Sequence, residues 1–278
     1  MVIKNLISQA TKELSGVTPT ALLDCELLLA FILGEKREYL MAHDDEEVSP
    51  EDEKLFWSYV ERVRNGEPIA YVIGEKEFFE LDFFVDRRVL IPRPETELLV
   101  EKVLEFLDLK GGRKIIDVGT GSGCIGVAIA RNLPGNEEIH MVDISEEALA
   151  VARMNAERHG VEDRVQLYQS DLLEEADDYY DVIAANLPYI GETKHRFVAE
   201  NTEKFEPALA LFGGEDGLRL YEKMFQQIEE REIGFKFLIG EFGFEQSEDL
   251  EKLLTKYFDG RFEIHSDLAG IPRFFTVN

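Results

Sequence analysis

Positive charge is scarce in this 278-residue chain: 30 Lys and Arg stand against 57 Asp and Glu, a net charge of −27. The deficit is general rather than held in a tail, since residues 1–75 already carry 15 acidic against 7 basic side chains. A field of that sign repels phosphate backbones, so no stable nucleic-acid binding is expected. Cysteine is nearly absent. Cys25 and Cys124 lie far apart in apolar surroundings, which predicts two buried thiols in a reducing compartment rather than a disulfide. Long hydrophobic runs are missing as well. The most apolar stretch, Ala21 to Leu33, contains Asp24 and Glu26 and is too short to span a bilayer. With no basic-then-apolar leader at the start, the expectation is a soluble cytoplasmic protein with no membrane partner. The five histidines (His43, His140, His159, His195, His265) show no metal-ligand spacing, and no metal is expected. There is no internal repeat and no low-complexity segment.

What is present falls into three stretches. Residues 1–75 read as a small helical domain. Ile3 to Leu14 has apolar residues at helical spacing. Thr18 is positioned to cap a helix with Pro19 in its first turn, running to Leu33 with Gly34 as its stop. Ser49-Pro50 repeats that start signal, and Gly66 closes it. Residues 76–92 read as a β-hairpin linker, with Asp86-Arg87 near the turn. From residue 93 to 278, strands and helices alternate. Strands are expected at Lys114–Val118, Glu138–Asp143, Val165–Tyr168 and Tyr180–Ala185. Helices are expected at Cys124–Asn132 and, capped by Ser145 and ended by Gly160, Glu146–His159. That rhythm predicts an α/β fold with a Rossmann-like, doubly wound parallel sheet.

The first strand runs into Asp117-Val118-Gly119-Thr120-Gly121-Ser122-Gly123. Glycines let the chain turn sharply and let a ligand approach the backbone, and the helix that follows offers unpaired N–H groups. Asp143 ends the next strand, where a carboxylate can accept both ribose hydroxyls of a nucleoside. Asp171, after the third strand, is either the acceptor for an adenine amino group or a plain turn aspartate. The spacing Gly121-x-Gly123-x-x-Gly126 also matches dinucleotide enzymes. Asp117 decides between them: a carboxylate just before the glycines repels a pyrophosphate but suits a cofactor bearing an ammonium and a sulfonium, as S-adenosylmethionine does.

Asn186-Leu187-Pro188-Tyr189 follows the apolar run Asp181–Ala185. At a strand's carboxyl end this tetrapeptide presents an amide side chain, backbone carbonyls and an aromatic ring, a set suited to gripping a planar amide or amine. Beside a methyl-donor loop, it points to nitrogen methylation. The Asn186 oxygen and a main-chain carbonyl, that of Leu187, can accept the two N–H bonds of an amide and direct its nitrogen. Tyr189 is expected to pack against that amide. Arg93 and Glu95 either order the site wall or form an inter-domain salt bridge. Lys194-His195-Arg196 are either a partner contact or a solvated loop.

The glycine loop, Asp143 and the tetrapeptide together resemble an amino-methyltransferase of the class I S-adenosylmethionine-dependent fold. Four further segments, in order, narrow the resemblance. They are Glu67-Pro68-Ile69-Ala70-Tyr71-Val72-Ile73-Gly74, Ile91-Pro92-Arg93-Pro94-Glu95-Thr96-Glu97, Phe205-Glu206-Pro207 leading to Ala210-Leu211-Phe212-Gly213-Gly214, and Asp267-Leu268-Ala269-Gly270. These resemble the peptide-release-factor glutamine methyltransferases, the PrmC/HemK family, over nearly the whole chain. The resemblance implies methylation of the glutamine side-chain amide in the Gly-Gly-Gln motif of class 1 release factors. It implies that Gly119, Thr120, Gly121, Ser122, Gly123, Asp143, Asp171 and Leu172 hold S-adenosylmethionine with Asn186, and that Asn186, Leu187, Pro188 and Tyr189 hold the glutamine. It also makes residues 1–75 the substrate-recognition domain; a monomer is the default. One position departs from the pattern: the family has proline where this chain has Leu187, and Asn-Leu-Pro-Tyr is typical of ribosomal RNA adenine dimethyltransferases. An RNA or DNA adenine methyltransferase is therefore the alternative, disfavoured by the acidic surface and by a helical domain ahead of the glycine loop. A non-enzymatic, cofactor-binding adaptor is the third reading.

Overall fold

A computed structural model of the chain describes residues 1–191 and 200–278. It divides into two compact units, Met1–Glu75 and Lys76–Asn278. The first is helical throughout: Ile3–Leu14, Ala21–Leu33, Arg37–Ala42, Pro50–Arg64 and Ile69–Ile73. Leu6, Ala10 and Leu14 recur at helical spacing and bury against Leu28, Leu29, Phe56 and Val60. Ser49 caps its helix as expected, accepting from the Asp52 N–H at 3.1 Å. The second helix starts later than Pro19. The hydroxyls of Thr18 and Thr20 both donate to the Asp24 carboxylate, at 2.7 and 3.1 Å, and Thr20 makes no side-chain cap.

The second unit opens with a hairpin, β1 (Glu75–Phe78) and β2 (Leu81–Phe84). Its turn is Phe79-Glu80, both left-handed with φ of 53° and 60°, and not Asp86-Arg87. Neither residue favours that conformation, and none of the usual Gly, Asn or Asp signals marks it. Acceptors hold it instead: Glu97 takes the Phe79 N–H at 3.1 Å and Glu77 takes the Glu80 N–H at 2.9 Å. Phe78 and Phe83 are buried in the core of this unit, and Asn155 bonds both backbone groups of Phe84.

Seven strands follow: β3 (Lys114–Val118), β4 (Glu138–Asp143), β5 (Val165–Gln169), β6 (Tyr179–Ala185), β7 (Gly234–Glu241), β8 (Phe262–Ser266) and β9 (Pro272–Val277). They form one sheet in the order β5-β4-β3-β6-β7-β9-β8. The first five are parallel; β9 runs antiparallel to both β7 and β8. Asp267-Leu268-Ala269-Gly270 is the turn that joins β8 to β9. There Asp267 accepts the Ala269 and Ile271 N–H groups, both at 2.9 Å.

Both faces of the sheet are covered. Ile115, Met141, Val182 and Ile239 pack on the side of the helices Glu97–Lys110, Cys124–Asn132 and Glu146–Arg158. Their sequence neighbours Ile116, Val142, Ile183 and Leu238 pack on the side of Arg219–Glu230 and Ser247–Phe258. Alternating side chains that are buried either way explain the near-continuous apolar runs. The chain leaves β3 toward β4 and β5, then returns to place β6 and β7 on the other side. That reversal opens a crevice at the carboxyl ends of β3 and β6.

Candidate active site

The crevice holds a cavity of about 320 Å³. Gly119, Thr120, Gly121, Ser122, Asp143, Asp171, Leu172, Asn186, Leu187 and Pro188 all line it. Residues drawn from four separate segments of the sequence thus meet at one place. Gly123 and Tyr189 stand outside the lining.

The glycine loop is built by its neighbours. The Gly119 and Thr120 N–H groups both donate to the Val142 carbonyl at 2.9 Å. The Gly121 N–H donates to Asp143 Oδ2, also at 2.9 Å. Gly123 has φ of 82°, and a Cβ there would lie 2.8 Å from Met141 Cε and 3.1 Å from Ala152. Its lack of a side chain lets the following helix sit close on β4. Asp143 accepts the Ser145 N–H with its other oxygen at 2.9 Å. Burial raises its pKa against these two bonds and that of the Ile144 N–H. Asp171 is ion-paired with Lys223 at 2.5 Å. Leu172 adopts φ of 57° beside it, a conformation uncommon for residues other than glycine.

Asp117 lies beneath the loop, fully buried. Its Oδ2 accepts the Thr120 hydroxyl at 2.6 Å and the Gly126 N–H at 3.0 Å, so it braces the loop from below. Its Oδ1 has no partner among the described residues. Burial pushes its carboxyl up to about 6, against those two bonds. A leftover buried acceptor under a glycine loop suits a cationic ligand and opposes a pyrophosphate. The residues present therefore fit a sulfonium cofactor.

The tetrapeptide is held from below and behind. Asn186 Nδ2 donates to Thr96 Oγ1 and to Glu241 Oε2, each at 3.0 Å. The Tyr189 hydroxyl donates to Glu241 Oε1 at 3.2 Å. The Tyr189 carbonyl accepts from Gln246 Nε2 at 2.8 Å. The Pro188 carbonyl is packed on Gly213, where a Cβ would lie 2.2 Å from it. No hydrogen bond among the described residues uses Asn186 Oδ1 or the Leu187 carbonyl. The Leu187 side chain is 1% exposed and packs under the loop, 3.1 Å from where a Gly119 Cβ would be. The Tyr221 hydroxyl, buried behind the tetrapeptide, donates to the Ala185 carbonyl at 3.1 Å and to that of Glu241 at 2.5 Å.

Arg93 also lines the cavity. Its guanidinium donates to Glu206 at 2.6 Å, and Glu206 accepts the Ile91 N–H at 3.1 Å. The pair lies within the second unit, so it orders the site wall and is not an inter-domain bridge. It also explains why Ile91-Pro92-Arg93 and Phe205-Glu206-Pro207 occur together. Glu241, Thr96, Gln246 and Tyr221 are the residues that sequence reading missed. Glu241 carried a usable signal: like Asp143, it is a carboxylate closing an apolar strand. Elsewhere, Glu138, His140 and Asp177 converge. Lys114 already bonds Asp177 and lies 3.5 Å from Glu138, so that cluster has its cation. Lys194-His195-Arg196 lie outside the described residues.

Comparison with known proteins agrees with this geometry. Residues 5–74 match the PrmC N-terminal domain and residues 94–211 the methyltransferase small domain. A release factor glutamine methyltransferase from Koribacter versatilis (strain Ellin345) is 36% identical over 276 residues, covering 98% of this chain and 97% of that protein. The chain belongs to the release factor glutamine methyltransferase family. A second member, from Coxiella burnetii (strain RSA 493 / Nine Mile phase I), is 35% identical over 275 residues, covering 98% of this chain and 96% of that one. The N-terminal domain of human METTL16, solved in complex with SAH, shares the fold. It has a TM-score of 0.52 at 16% identity, over 90% of this chain and 93% of that one. The fold is thus that of class I methyltransferases with a helical N-terminal region. Full-length relatives favour the glutamine reading over RNA or DNA adenine. No helix among the described residues is long and apolar enough to cross a membrane.

Proposed function

We propose that this protein transfers a methyl group from S-adenosylmethionine to the side-chain amide nitrogen of the glutamine in the Gly-Gly-Gln motif of class 1 peptide chain release factors. The observation that carries the proposal is a pair of acceptors uncommitted among the described residues, Asn186 Oδ1 and the Leu187 carbonyl, beside a glycine loop in one cavity. The family name supplies the substrate.

Gly119 to Ser122, Asp143, Asp171 and Leu172 hold the cofactor, and Gly123 turns the chain into the helix behind them. When bound, S-adenosylmethionine supplies an electrophilic methyl group on a positively charged sulfur. An amide nitrogen is a poor nucleophile because its lone pair is delocalised into the carbonyl. Asn186 Oδ1 and the Leu187 carbonyl accept its two N–H bonds, turn the nitrogen toward the donor side of the cavity, and stabilise the positive charge that grows on it. The surplus proton leaves the nitrogen after alkylation, so no general base is assigned. Pro188 keeps Leu187 extended, and Tyr189, tied to Glu241, holds the tetrapeptide from behind. Residues 1–75 recognise the release factor, residues 76–92 are the linker that contains most of the hairpin, and residues 93–278 carry the chemistry. The protein acts as a cytoplasmic monomer.

The test is transfer of labelled methyl to a release factor. Label should appear on the factor, vanish when its Gly-Gly-Gln glutamine is replaced, and be absent from ribosomal RNA. Label on RNA alone would overturn the proposal. Asn186→Ala should lower kcat by roughly 100-fold or more, as for loss of one preorganised polar contact.

A further inference from the structure

Glu241 closes β7 with only 2% of its surface exposed. A carboxylate so deeply buried persists where donors surround it, and three do. Thr96 Oγ1 donates to Oε2 at 2.6 Å, Asn186 Nδ2 donates to the same oxygen at 3.0 Å, and the Tyr189 hydroxyl donates to Oε1 at 3.2 Å. Two of the three belong to the tetrapeptide. Thr96 uses its one proton on Glu241 and so accepts from Asn186 Nδ2, again at 3.0 Å.

We propose that ionised Glu241 is the positioning residue of this site, fixing which end of the Asn186 amide faces the substrate. The inference deepens the proposed function and rests on it. A carboxylate only accepts hydrogen bonds. The NH2 end of Asn186 must therefore turn to Glu241 and Thr96, which leaves Oδ1 for the substrate. The reversed amide would set two acceptors face to face and offer the substrate's NH2 group a donor. The buried charge also lies one side chain away from the nitrogen on which positive charge develops.

Protonation removes this constraint, because a neutral carboxyl carries a donor to which Asn186 can turn its oxygen. Burial pushes Glu241 up to about 7; the Thr96 and Tyr189 bonds oppose that, Glu95 adds to it, and Arg273 on β9 opposes it. The Cys124 thiol also feels this charge and is itself pushed up to about 12, chiefly by burial, so it stays neutral. Tyr189 is raised by burial and by Glu241 and stays neutral too. Asp117, pushed to about 6 by burial, also titrates near neutrality, so a variant must assign the pH limb.

The experiment is steady-state methylation of a release factor between pH 5.5 and 9 by the full-length protein and its Glu241→Gln variant. Wild-type kcat should climb as pH rises through about 7 and then level off. Glu241→Gln should lose that limb and, at pH 8.5, have a kcat lower by roughly 10-fold or more, with KM for the methyl donor within about twofold. A variant that keeps the wild-type limb or the wild-type kcat overturns the inference while the proposed function stands. A wild-type protein that leaves the release factor unlabelled overturns both. If Glu241→Gln does not fold, Thr96→Val serves. It removes a bond that lowers the Glu241 pKa, so the limb should move to higher pH; an unmoved limb, or a flat wild-type profile, overturns the inference.

Discussion

A residue chosen for orientation has a thermodynamic signature of its own. The Glu241 carboxyl titrates near 4.5 when unperturbed and about 7 in the fold, where burial disfavours the charge. Between those values the folded protein holds a proton that the unfolded chain has lost. Stability therefore falls as pH rises from about 4.5 to about 7 and stays lowered above that. A displacement of that size corresponds to about 3 kcal/mol as an upper bound. Asp117, raised to about 6 by burial, acts with the same sign. Glu241→Gln should thus raise the melting temperature at pH 8 by several degrees and change it little at pH 5, as read by calorimetry. The substitution that slows catalysis should make the protein harder to unfold. A lower melting temperature at pH 8 would mark the carboxylate as a structural group.

Among the elements, the segment after the helix Ala208–Leu211 supports the tetrapeptide from outside the sheet. Ile190 and Phe212 form a parallel bridge, the Ile190 N–H donates to Leu211, and the Gly213 N–H donates to Ile190, both at 3.0 Å. A Cβ on Gly213 would lie 2.2 Å from the Pro188 carbonyl and 2.7 Å from that of Gly217. Gly213→Ala must push this segment off the grip. It should cost roughly 1–3 kcal/mol of stability and reduce kcat more than methyl-donor affinity, since the glycine loop is anchored separately on β4. Parallel losses of both would show that the segment supports the whole cavity. The bounds of β3, β4 and the helix after the glycine loop were legible because apolar runs end on clear punctuation there, Gly119 to Gly123 and Asp143 among it. The Phe79-Glu80 turn was not legible, because Glu97, 18 residues away from Phe79, supplies what turn residues normally supply locally. The site divides in the same way. Asn186 to Tyr189 and the glycine loop are contiguous and could be read. The Glu241 network joins residues 55 and 145 positions apart, and only the fold brings them together.

Across the whole molecule, the charge of −27 works against compaction, because both units carry the same sign and every unit of expansion relieves repulsion. The ion pairs near the surface, such as Lys252 with Asp249 and Lys256 with Glu222, are exposed and contribute little each. Added salt weakens both terms, but the net repulsion is the longer-ranged of the two. The screening length falls from about 30 Å at 0.01 M to about 3 Å at 1 M, which removes repulsion across the molecule before it removes contacts. At pH 8 the melting temperature should therefore rise with sodium chloride over that range. Near the isoelectric point of about 4.5 the repulsion is gone and the same salt should leave stability unchanged or lower it. Calorimetric scans at pH 8 and pH 5 across a salt series measure the crossover. A melting temperature that falls with salt at pH 8 would mean that local pairing, not the overall excess of acid, governs the electrostatics of this fold.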